Sequence, residues 1–148
     1  MKKLTGWLPA LPAVIFLILG AWAYTQETQA QQQVESISRC RTAAPRYVEI
    51  DTATTANNEL VALVAGQRVY VCGFTLDNDT ATTGLQFVYG TGTACATDEV
   101  DITGIMTVAT LTYPNAGATQ FQTAAGTALC LELSTNTQVN GHLTYVQY

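Results

Sequence analysis

From about residue 46 onward, apolar side chains recur at every second position over short runs, and no window long enough for a helix sustains a period near 3.6. Successive side chains alternate between the two faces of a strand, so this pattern admits an all-β fold and little else. Candidate strands are Tyr47 to Asp51, Leu60 to Val64, Arg68 to Leu76, Leu85 to Tyr89, Ile105 to Leu111, Thr119 to Gln122, Ala128 to Leu133 and Val139 to Gln147. Leu85, Phe87 and Tyr89 share one side of their run; Leu129, Leu131 and Leu133 oppose Cys130 and Glu132; Leu143 and Tyr145 oppose Thr144 and Val146. One apolar row per strand needs a second sheet to cover it.

Eight short strands predict a single jelly-roll-like β-sandwich. The breaks between them carry Gly, Pro, Asn or Asp where the backbone must reverse, as in Ala65-Gly66, Asp77-Asn78-Asp79 and Pro114-Asn115-Ala116-Gly117. The run from Arg68 to Leu76 is apolar on both faces and predicts a central strand. The stretch from Gly90 to Thr103 reads as a long loop of small residues, with one helical turn expected over Asp98 to Thr103.

The other constraint lies at the N-terminus. Lys2 and Lys3 precede an apolar run from Ala13 to Ala23, a polar stretch and the small residues Thr28 and Ala30, which is the layout of a secretory signal peptide. Pro9 and Pro12 interrupt the segment, leaving it short of the roughly 20 apolar residues of a membrane span, although a count from Trp7 to Tyr24 approaches the lower limit of about 17. The expected organisation is a signal peptide over residues 1–30, or an uncleaved anchor helix over the same residues. A Gln-rich linker over 31–45 and the sandwich over 46–148 complete it. Cleavage after Ala30 is expected, with Ala23 an alternative site. The destination is extracellular or periplasmic, or membrane-anchored if the segment stays.

Export permits Cys40, Cys72, Cys95 and Cys130 to pair. Three pairings are open, and spacing alone does not choose between them. We favour Cys40 with Cys72, tying the N-terminal approach to the central strand, and Cys95 with Cys130, pinning the long loop. Each closes a loop of about 32 to 35 residues and is worth roughly 3 to 4 kcal/mol. Zinc sites use close Cys pairs, which are lacking here, so no metal is expected.

Beyond residue 30 the chain holds ten Asp and Glu against four Arg, a formal net charge of minus 6, and no Lys. Such a balance repels phosphate backbones, so nucleic acid is excluded as a partner, and contact with a membrane is expected only through an uncleaved N-terminal segment. His142 has no activated serine or nucleophile elbow to serve. The acids Asp98, Glu99 and Asp101 do not match a calcium-binding loop. No cofactor and no catalytic residue is expected. The candidate contact residues are Asp98, Glu99, Asp101 and Tyr113, carboxylates and an aromatic ring that a partner or a sugar would meet. Asn78-Asp79-Thr80 is a formal glycosylation sequon.

The run Phe87-Val88-Tyr89-Gly90-Thr91-Gly92-Thr93-Ala94-Cys95, the piece Ala125-Gly126-Thr127-Ala128-Leu129-Cys130 and the final Leu143-Thr144-Tyr145-Val146-Gln147-Tyr148 occur in an order that resembles small β-proteins of bacteriophages and bacterial genomes. The resemblance spans roughly residues 55 to 148. It implies a virion surface or accessory structural role and no assigned chemistry; the export signal sets this chain apart from phage members. The expected function is that of a secreted or surface-displayed, non-catalytic structural or adhesive module. Its partner would be further copies of itself, a glycan or a cell-surface protein. The alternatives are a lectin-like carbohydrate-binding module and a virion decoration protein.

Overall fold

The structure, a computed structural model, describes residues 39–80 and 83–148; the expected signal or anchor segment and most of the linker lie outside them. Residues Ser36–Tyr148 form a compact unit. Its strands are β1 (Arg46–Thr52), β2 (Asn57–Val61), β3 (Val69–Asn78), β4 (Leu85–Thr91), β5 (Thr97–Asp101), β6 (Thr110–Tyr113), β7 (Phe121–Gln122), β8 (Ala128–Leu133) and β9 (Val139–Gln147). They form two antiparallel sheets: sheet A in the order β1-β9-β3-β6, with β7 also on β3, and sheet B in the order β2-β8-β4-β5. The pairing is nested. The first strand joins the last, β2 joins β8, β3 joins β6 and β4 joins β5.

The alternating rows meet between the sheets. Ile50, Val69, Val71, Phe74, Leu76, Val139 and Leu143 of sheet A pack against Val61, Leu85, Phe87, Leu129, Leu131 and Leu133 of sheet B. Phe87 bridges the layers, its ring 4.9 Å from that of Phe74 and 5.0 Å from that of Phe121. Edge-to-face and tilted rings at such distances add to the burial itself. No buried side-chain N or O among the described residues lacks a hydrogen-bond partner.

Strand β3 changes phase midway. Val69 and Val71 point inward, yet so do Phe74 and Leu76, because the register against β9 slips between Val71 and Gly73. This bulge turns Cys72 to the outside, where it forms a disulfide with Cys40. Cys40, Cys72 and Val146 make a small outer cluster, packed against Ala43 and Tyr70. Sheet B repeats the device. Cys130 faces outward on β8 and forms a disulfide with Cys95, in a turn at Thr93–Cys95 that covers Val88 and Ala128. Each disulfide therefore fastens a segment over apolar side chains that the other sheet cannot reach. With all four cysteines paired as favoured from the sequence, the domain fits an oxidising compartment, extracellular or periplasmic.

Two glycines are required by close approach. A Cβ on Gly90 would lie 2.6 Å from the Cys95 carbonyl oxygen, so the covering turn lies this close only over a residue without a side chain. A Cβ on Gly141 would sit 1.9 Å from the carbonyl oxygen of Thr75.

Four elements differ from the periodicity reading. The second strand runs Asn57–Val61 instead of Leu60 to Val64, since polar Asn57 and Asn58 pair with Glu132 and Leu131 while Leu63 and Val64 stay exposed. The run from Ile105 contributes only a single bridge, Met106 to Leu85, before β6 begins at Thr110. β7 holds only Phe121 and Gln122 of its expected run. The helical turn expected over Asp98 to Thr103 is instead β5: Asp98 has φ 52°, outside the right-handed helical region, and the segment pairs with β4.

Replacing Cys95 and Cys130 together by alanine is expected to remove about 3 to 4 kcal/mol of unfolding free energy, measured by denaturant titration against the oxidised protein. Gly141→Ala is expected to cost more than about 3 kcal/mol, because backbone of β3 must move, whereas Gly66→Ala, at φ 75° in open space, costs about 1 kcal/mol in the same measurement.

Candidate functional site

The outward rows of sheet B carry its chemistry. Inward Leu131 and Leu133 leave Glu132 facing out on β8; inward Leu85 and Phe87 do the same for Gln86 on β4. These two side chains stand directly opposite in register, and Gln86 Nε2 donates to Glu132 Oε2. The same amide donates to Asp101 Oδ1 at 3.2 Å, reaching from β4 to β5. Asn57 of β2 donates through Nδ2 to Glu99 Oε2. Two side-chain amides thus link three carboxylates into a polar patch spanning all four strands of the sheet.

Carboxylate oxygens of Glu99, Asp101 and Glu132 all lie within 4.8 Å of one another; the first two residues are exposed and the third is half-buried. The irregularity between Tyr89 and Thr91 on β4 places one extra β5 residue between Thr97 and Val100, the segment that carries Glu99. Beside the patch, Gly84, Gln86, Ile105, Glu132 and Ser134 line a shallow depression of about 60 Å³. Ile105 is 69 % exposed there, and Val100 on the edge strand is 44 % exposed. Carboxylate lone pairs beside exposed aliphatic surface suit a partner that brings hydrogen-bond donors and an apolar face. A cation could be met by three carboxylates, but calcium takes six to eight oxygens and the amides already donate into this group.

Glu99 and Asp101 therefore come together as a pair, and the sequence reading missed Glu132, Gln86 and Asn57, which complete the patch. Alternation did mark Glu132 and Gln86 as outward; their adjacency needed the β4–β8 register. Asp98 is exposed beside Glu99 in the bulge but is not one of the three converging carboxylates. Tyr113 lies in the other sheet, on β6, with its ring 5.1 Å from Phe74. It shares no groove with these acids. His142 is also in sheet A, exposed and in register between Glu49 of β1 and Thr75 of β3. The sequon residue Asn78 is 3 % exposed, and its side chain bonds the carbonyls of Thr83 and Val108 and the amide of Thr80, so a glycan has no room on it in the folded protein.

Like charges this close repel. Glu132→Gln is expected to raise stability by roughly 0.5 kcal/mol at low salt and by less at high salt, read as a shift in the denaturation midpoint at each ionic strength. No protein-family model, curated protein or solved structure matches the chain.

Proposed function

We propose that the protein is an exported, non-catalytic jelly-roll module that makes structural or adhesive contact through the outer face of sheet B. The nested strand order, first with last and inward from there, supports the jelly-roll reading, an architecture used for contact surfaces in capsid and lectin domains. The observation that carries the contact role is the patch of Asn57, Gln86, Glu99, Asp101 and Glu132 beside exposed Ile105. It is broad and open. A depression of about 60 Å³ is far below the several hundred Å³ of an ordinary small-molecule site, which favours a macromolecular or assembled partner. Paired cysteines and the signal-like N-terminus support export, and the resemblance to phage and bacterial β-proteins supports a structural role.

The test is binding of the fluorescently labelled exported protein to the surface of producing cells. Saturable binding that falls at least about tenfold in a Glu99→Gln, Asp101→Asn, Ile105→Ser variant is the expected result, since a few central side chains hold most of an interface's energy. Binding that ignores these changes overturns the assignment. Mass spectrometry of the natural product checks the export half of the proposal, with two disulfides and a processed N-terminus expected; four free thiols behind an intact Met1 would overturn it.

A further inference from the structure

The charges of the domain are sorted along the strands. At the end where β1 and β3 begin and β9 finishes, Arg46 stands opposite Tyr145, and the backbone of Arg68 pairs with that of Tyr148. The Arg39 guanidinium lies 4.8 Å over the Tyr148 ring, and the Arg41 side chain lies against Gly117, in the loop leading to β7. These are all the basic side chains of the described residues apart from His142. The segments that build this end, residues 39–48, 62–70, 91–97, 114–128 and 143–148, contain no Asp or Glu; Asp98 and Glu49 are the acids that border it. Asp51, Asp77 and Asp79 lie at the opposite end, and the remaining acids lie farther along β1 or on sheet B.

Exposed apolar surface is present at the basic end as well as beside the sheet B patch. Of the large hydrophobic side chains that stand in water, Tyr47, Leu63, Val64 and Tyr148 are at the basic end, exposed by 70, 41, 41 and 48 %. Leu63 and Val64 lie just past Ala62, whose carbonyl accepts from Gln147. Arginine, tyrosine and aliphatic side chains together form the combination that settles at a headgroup boundary.

We propose that this basic end is a docking surface for an anionic lipid bilayer. Arg39, the first described residue, belongs to it, so the described chain enters the domain at this end. The domain's net negative charge does not oppose this approach equally in every orientation: the acidic end is repelled, the basic end is attracted, and the domain stands with sheet edges upright. An acidic end of a second copy is the competing occupant, and the experiment below separates the two. The inference goes beyond the contact role of sheet B, and its failure leaves that role untouched because the two surfaces share no residue.

The experiment uses the full chain reconstituted into phosphatidylcholine vesicles with and without phosphatidylglycerol, read by hydrogen exchange. Amides around 62–68 and 144–148 are expected to gain protection only with phosphatidylglycerol present, while those around 77–80 are unchanged. Flotation of the Ser36–Tyr148 unit, which holds the whole described core and both disulfides, gives the affinity: Arg41→Gln with Arg46→Gln is expected to weaken binding to the anionic vesicles by about twenty-fivefold, at about fivefold per arginine. Asp77→Asn with Asp79→Asn serves as the folded control and retains binding. Equal protection on both vesicle types, or none on either, overturns the proposal. So does protection of both ends that grows with protein concentration in the absence of lipid, which would assign the surface to a second copy.

Discussion

Strand β3 carries apolar side chains on both of its faces, and water has to be kept from each. The inner row finds sheet B. The outer row has no second sheet, so the chain supplies a cover from its own N-terminal approach: a helical turn over residues 39–42, closed by the bond from the Ala43 amide to the Arg39 carbonyl, laid over Cys72, Tyr70 and Val146. The bulge at Cys72 is what makes this possible, because without the slip in register either Phe74 or Val71 would leave the core. Where Arg39 and Arg41 come to rest, and so the charge of that end, follows from the same cover.

Sheet B meets the same difficulty with the opposite order of parts. Its outward apolar residues, Val88 and Ala128, are covered by a turn that follows β4, and the cover is held by Cys95. Because that turn occupies one half of the outer face, the polar side chains gather in the other half, where Gln86 and Glu132 stand. The candidate contact patch is the part of the face that its disulfide-held turn leaves open.

Strong periodicity made two of the core runs legible in full. Ala128–Leu133 and Val139–Gln147 match the strands expected from alternation, and both cysteine pairs match the favoured ones. What escaped the sequence were elements whose stability comes from a neighbour. Asn57 and Asn58 have poor intrinsic preference for a strand, and they hold one because β8 offers partners and Asn58 bonds Thr52, Thr54 and the Leu131 carbonyl. β5 is exposed along its whole length and has no apolar row to announce it. The patch was half legible: Glu99 and Asp101 stood out as an acidic run, whereas Glu132 was marked only as outward-facing, 31 positions beyond Asp101. Alternation assigns a face to a residue; it does not say which strand lies beside it.

The Cys40–Cys72 bond also decides how the molecule bears tension. A pull arriving through the chain before Arg39 passes across sulfur into β3, which is flanked by β9 over nine paired positions, and so bypasses β1 entirely. Edge strand β1, the one that would otherwise peel away first, hangs in a covalent loop and carries no load. Any pull on the chain is thereby taken at the middle of the domain and not at its hem.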